Sequence, residues 1–212
     1  METKETTVEQ AGATMDVNGA PYEVARLLGK GKGGYSYLVR DADGVLRVLK
    51  QIHHEPCAYY QFGDKLASEL ADYRTLTRIG VAMPRMLDVD EGAERILKEY
   101  VDGPTVYELV LAGDVRPAHV ERMRAICRGL YAADVNIDYF PTNFVVQGDE
   151  LLYVDYECNA YMQEWDFEHW GIRYWDRTPE LLAYAAEHGD EVRGRGAQDA
   201  DEGPAANKEE TS

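Results

Sequence analysis

The chain is short of cysteine, of basic side chains and of long apolar runs. Its three cysteines, Cys57, Cys127 and Cys158, show no CxxC spacing. A set so sparse and odd in number argues against a disulfide framework or a zinc knuckle and fits a reducing cytosol. No apolar run approaches the ~20 residues that a membrane-spanning helix needs. The opening METKETTVEQAGAT also lacks the basic end and apolar core of a secretory signal. The expectation is a cytoplasmic protein with no membrane contact. Lys and Arg number 22 against 39 Asp and Glu, a formal charge of −17. Residues 190–212 hold seven acids and three bases, so most of the excess lies in the body. A surface of that sign repels phosphate backbones and counts against a nucleic-acid partner. A phosphate-bearing ligand would have to be small and met by local lysine, backbone N–H groups or a metal.

The remaining pattern is that of an α+β chain without internal repeats. Residues 1–14 are polar and aperiodic, and residues 190–212 are rich in Gly, Ala and acids, so both ends are expected to be disordered tails. YEVARLL leads into a glycine cluster, and YSYLVR and VLRVLKQI form a hairpin about Asp-Gly. A helix is expected over residues 64–79, with Leu66, Leu70, Tyr73 and Leu76 on one face. RMLDVDEGAERILKEYV reads as two further strands joined at Glu91-Gly92. Beyond the link EYVDGPT, Thr105 and Glu108 make a capping-box pattern. Residues 117–133 form an amphipathic helix, NFVVQGDELLYVD a hairpin, and residues 165–188 an aromatic-rich helical segment. This gives an antiparallel-sheet lobe with one helix over residues 15–102 and a compact helical lobe over residues 103–189.

Several polar residues sit oddly for their surroundings. Gly29, Gly31 and Gly34 make a GxGxxG, but an alternating strand follows where a dinucleotide fold needs a helix. Strand, glycine turn and strand suit a flap over phosphates; a plain mobile turn is the other reading. Period two puts Leu46, Val48, Lys50 and Ile52 on one strand face. A lysine there is costly to bury without an anion, or else it snorkels out at the strand end. Glu69 falls on the apolar stripe of the following helix and is its natural partner, whereas Asp64 and Asp72 fall off that stripe. Asp138 and Asn143 flank Pro141, and Asp155 ends an apolar run; an Asx-turn is the bland account of the first two. Tyr161, Trp165, Phe167, Trp170, Tyr174 and Trp175 either fill a core or form an exposed surface. His53-His54 lacks the further ligands of a metal site, and Cys158 reads as ordinary packing.

Taken in order, the glycine turn, Lys50, Glu69, the DYFPTN segment and the DYE segment resemble the protein-kinase-like superfamily over roughly residues 20–160. The resemblance implies a two-lobed fold that binds ATP with Mg²⁺. By it, Gly29, Gly31 and Gly34 cover the phosphates, and Lys50 with Glu69 positions them. The backbone from Glu99 to Val101 meets the adenine edge, with Leu28 and Leu49 nearby. Asn143 and Asp155 hold the metal, and Asp138 orients the acceptor hydroxyl and takes its proton. Mg²⁺ favours hard oxygen ligands and keeps several waters, which such a set satisfies.

The chain departs from the common pattern. Asn136-Ile137 stands where His-Arg is usual, no lysine lies between Asp138 and Asn143, and Glu157 replaces the glycine after the metal-binding Asp. No Ala-Pro-Glu follows, and residues 156–212 leave no room for a long activation segment or a large peptide-docking lobe. These losses resemble the compact atypical branch, such as RIO kinases, the small kinase of a tRNA-modification complex, or the aminoglycoside phosphotransferases. The implied activity is transfer of the γ-phosphate of ATP to a Ser or Thr hydroxyl of a protein. A pseudokinase or ATP-binding module with weak ATPase activity is the alternative, and a small-molecule kinase the third reading.

Overall fold

Alternating side chains build most of the first hundred residues into one antiparallel sheet. The structure, a computed structural model, describes residues 8–31, 33–55 and 64–193. The strands are β1 (Thr14–Val17), β2 (Ala20–Lys30), β3 (Gly34–Arg40), β4 (Leu46–Ile52), β5 (Met86–Asp90) and β6 (Arg95–Glu99), in spatial order β1-β2-β3-β4-β6-β5. Register shifts between Val24 and Arg26 and between Leu27 and Gly29 bend β2. The sheet curls until its two edges meet. Asn18 after β1 bonds Asp88 and Asp90 of β5, and Arg95 bonds the Asp16 carbonyl. The inside of the curl packs Val17, Val24, Tyr37, Val39, Leu49 and Leu97.

The opposite face of β4 and β6 receives α1 (Lys65–Ile79), through Ile52, Leu66, Ile96 and Tyr156. The helix starts where Asp64 accepts the Ala67 N–H and stops at Gly80, whose left-handed backbone returns its N–H to Leu76 and Thr77.

The rest of the chain is helical, with short ribbons. It contains α2 (Val106–Ala112), α3 (Pro117–Ala132), β7 (Val135–Ile137), β8 (Phe144–Gln147), β9 (Glu150–Tyr153), β10 (Cys158–Ala160) and α4 (Pro179–Arg193). Thr105 and Glu108 close a reciprocal capping box on α2. Here β8 pairs with β9, and β10 returns to pair with β7. A core that includes Met123, Leu130, Tyr139, Phe144, Phe167 and Trp175 holds the part together.

Two expectations change in detail. The helical segment expected over residues 165–188 is discontinuous: 3₁₀ turns at Gln163–Trp165 and Gly171–Tyr174 come first, and α4 begins only at Pro179. Proline fits the first helical turn and disfavours helix in the residue before it. Within the segment, Phe167 and Trp175 are core whereas Trp165 is 53 % exposed, so each reading of the aromatics holds for some of them. At the front, Gly12 and Ala13 hydrogen-bond to Val24 and the Glu9 N–H donates to Tyr37, so these residues extend the sheet rather than belong to a tail. The parts of the two expected tails at 1–7 and 194–212 lie outside the described residues, as does Cys57. The β7–β10 ribbon had no sequence signal, because three-residue strands are too short to show a period.

Candidate functional site

The two parts of the molecule enclose a cleft of about 1860 Å³, and residues far apart in the chain meet there. Gly29, Gly31, Gly34, Lys50, Glu69, Glu99, Val101, Asp138, Asn143 and Asp155 all line it.

Strand alternation aims Lys50 away from the curled core and into this cleft. Its Nζ lies 2.7 Å from Glu69 Oε2 on α1 and 3.5 Å from Asp155 Oδ1. The Lys50 and Glu69 side chains are only 13 % and 9 % exposed. Burial alone would lower the Lys50 amine. The charges of Asp155 and then Glu69, with a hydrogen bond to each, hold it well above the usual lysine range. Burial would likewise raise the Asp155 carboxyl, but Lys50 and then Lys98 hold it below the usual aspartate range. Lys98 is itself buried, donates to the Val154 carbonyl at 2.6 Å and lies over the Tyr156 ring at 4.5 Å. One carboxylate oxygen, Glu69 Oε1, is buried with no hydrogen-bond partner among the described residues.

The glycine turn lies over this cluster. Its Gly31 N–H donates to the Gly34 carbonyl at 2.9 Å. A Cβ on Gly34 would stand 2.4 Å from the Gln51 carbonyl oxygen, so that glycine lets β3 lie against β4. A Cβ on Gly33 would be 3.8 Å from the Lys50 amine, so Gly33 is the glycine directly above the lysine. Buried His53 holds the turn from behind. Its Nε2 bonds the Gly31 carbonyl at 3.1 Å and its Nδ1 accepts the Glu55 N–H at 3.2 Å. A carbonyl only accepts and a backbone N–H only donates, so the ring carries its proton on Nε2. Lys65, also buried, donates to the His53 carbonyl.

Across the cleft, the segment after β7 presents Asp138 and Asn143. Asp138 Oδ1 accepts the Phe140 N–H at 3.0 Å, so the Asx-turn is present and orients the carboxylate. Asn143 Nδ2 donates to the Asp138 carbonyl at 3.4 Å, and the Asn143 carbonyl receives the Val154 N–H at 2.9 Å beside Asp155. Trp175 Nε1 to the Tyr139 carbonyl and Asn136 Nδ2 to the Met162 carbonyl, both at 2.8 Å, fix the segment to the helical core.

Other expected positions differ in detail. Glu99 turns its carboxylate to Arg85 at 2.6 Å, the hydrogen bonds from Arg85 keep its pKa low, and its backbone N–H donates to the Arg85 carbonyl at 3.0 Å, so neither its side chain nor its N–H faces a ligand. Leu49 does not reach the cleft: it is fully buried in the curled core, and Val48, together with Leu28, lines the cleft instead. The same alternation that turns Lys50 into the cleft carries Val48 with it and turns Leu49 away. Gly33, Lys65 and Lys98 were not singled out from sequence, and His53 was weighed there only as a metal ligand, not as a support of the turn. Only β6 alternation offered a signal for Lys98, and the other three depend on how the turn folds over β4.

Among the described residues no group of three or more His, Cys, Asp or Glu converges as a metal site. Asp155 and Asn143 offer one carboxylate and one amide. That oxygen-only pair is too small for a structural metal site but fits Mg²⁺, which takes its remaining ligands from water and phosphate. No protein-family model matches the chain, and no curated protein matches it.

Proposed function

We propose that the cleft binds ATP with Mg²⁺ and transfers the γ-phosphate to a Ser or Thr hydroxyl, in a compact two-lobed protein-kinase-like arrangement. The observation that carries this is Lys50 held between Glu69 and Asp155 under a glycine turn, in one cleft with Asp138 and Asn143. Lys50 is a lasting cation for phosphate oxygens, and Glu69 fixes its direction. Val48, Leu28 and the backbone from the Glu99 carbonyl to Val101 offer an apolar slot with a polar edge for the base. Mg²⁺, held by Asp155 and Asn143, would neutralise charge on the β- and γ-phosphates. Asp138, fixed by its turn, accepts the hydroxyl proton as the bond to phosphorus forms and the ADP oxygen departs. Most of this catalysis is positioning and charge neutralisation in a partly dry site.

No basic residue occurs from Asp138 to Asn143, which favours, as a second reading, a module that holds ATP and hydrolyses it slowly. Incubation with γ-labelled ATP and a mixture of Ser/Thr peptides separates the two. Transfer that falls about 10²–10⁴-fold in Asp138→Asn supports the enzyme, since that is the scale of a positioned base. Nucleotide binding without transfer supports the module, and absence of both refutes the proposal.

A further inference from the structure

The cations of the cleft are confined to one side, where Glu69, Asp72 and Glu99 accompany them. The basic lining residues, Arg26, Lys30, Lys50, Lys65 and Lys98, all come from the sheet and α1. From Tyr100 onward no Lys, Arg or His among the described residues lines it, whereas Asp138, Glu157, Glu180 and Glu187 do. Glu180 and Glu187 flank Tyr184 at i, i+4 and i+7, which makes one face of α4 the wall of the cleft. Seven residues at 1.5 Å rise spread those two carboxylates over roughly 10 Å.

A row of rings runs along the same wall. Trp165 and Trp170 have centroids 6.1 Å apart, Trp170 and Tyr174 5.1 Å, Tyr174 and Phe140 5.2 Å, and Phe140 and Tyr184 4.6 Å. The row starts at the mouth, where Trp165 and Met162 are 53 % and 49 % exposed, and passes Phe140, two residues from Asp138, to reach Tyr184. Exposed large apolar side chains at a cleft mouth mark a contact surface. Ring faces beside carboxylates attract ammonium and guanidinium groups.

We infer that the acceptor hydroxyl arrives on an extended peptide segment carrying Lys or Arg beside the Ser or Thr. This rests on the phosphotransfer reading above and adds the substrate class. The carboxylates and rings are strung along the wall rather than gathered at one point, which suits a segment with spaced cations.

The test is a panel of Ser peptides differing only in flanking Arg, Ala or Glu, with small aminated alcohols as a separate arm and nucleotide binding measured in parallel. Peptides with flanking Arg should give the highest kcat/KM, and their KM should rise with salt. The double reversal Glu180→Lys/Glu187→Lys on an exposed helix face should raise KM for the Arg peptide about tenfold and remove its salt dependence. It should leave ATP affinity and KM for the Ala peptide unchanged, which a merely structural loss would not. Equal rates for Arg, Ala and Glu peptides with ATP binding intact would overturn the acceptor assignment alone. Preferential phosphorylation of aminated alcohols would overturn its peptide part. Absence of ATP binding would overturn the phosphotransfer reading on which it rests.

Discussion

Replacing Lys50 by Met strands a buried carboxylate. In the folded protein the Lys50 side chain is 13 % exposed and that of Glu69 9 % exposed, at 2.7 Å, and Glu69 Oε1 already lacks a partner among the described residues. Asp155 is better placed to survive the loss, since its side chain is 30 % exposed and Lys98 also stabilises its charge. The Glu69 side of the pair therefore dominates. Removing one partner of a buried pair costs about 3–5 kcal/mol. At about 2–4 °C per kcal/mol for a chain of this size, Tm should fall by about 6–20 °C. The double variant Lys50→Met/Glu69→Met replaces the pair by apolar side chains of similar volume and should recover most of that loss. Urea denaturation of wild type, both single variants and the double variant at pH 7 closes the cycle, provided the slope stays constant. A Lys50→Met loss below ~1 kcal/mol, or single losses that simply add, would show the pair to be surface-like and refute the reasoning.

Acid stability follows Asp155. Its folded pKa lies below the ordinary value, so its contribution is present above that value and is lost as pH falls through the depressed one. Asp155→Asn should thus flatten the decline in unfolding free energy below about pH 5, and an unchanged acid limb would contradict the assignment. Burial pushes the Cys127 thiol up to about 11, and burial with the Asp72 charge pushes Cys158 up to about 12. At pH 8 both should alkylate at least about 100-fold more slowly than in urea, by mass-spectrometric mapping; rapid native labelling of Cys158 would refute its contact with Asp72. Gly34→Ala drives a Cβ against the Gln51 carbonyl and should cost about 1–3 kcal/mol, whereas at Gly31 the nearest neighbour of an added Cβ is 3.8 Å away and the loss should be smaller. Equal losses by calorimetry would show that both glycines serve the turn in the same way.

How much of this was legible depended on the range of the signal. The hairpin of β3 and β4, the start of α1 at Asp64 and the α2 capping box are local, and the sequence reading found each. Lys50 and Glu69 were paired from two independent periodicities, strand and helix, each of which aims one charged side chain at an apolar face. Leu49 was misplaced because family resemblance overrode that same alternation. His53 and Gly33 were out of reach, because their roles arise when the glycine turn folds back over β4. The end of the chain misled for a different reason. Rings at helix-compatible spacing pack equally well from 3₁₀ turns, and Gly171, with no room for a Cβ against Tyr139, favours the tighter path.

Calorimetric titration of ATP into wild type and Asp155→Ala, each with and without Mg²⁺, addresses the convergence of these side chains on a metal-bound triphosphate. The account predicts saturable binding to wild type that requires Mg²⁺ and is lost in the variant. Binding of equal strength in all four titrations, or in none, would contradict it.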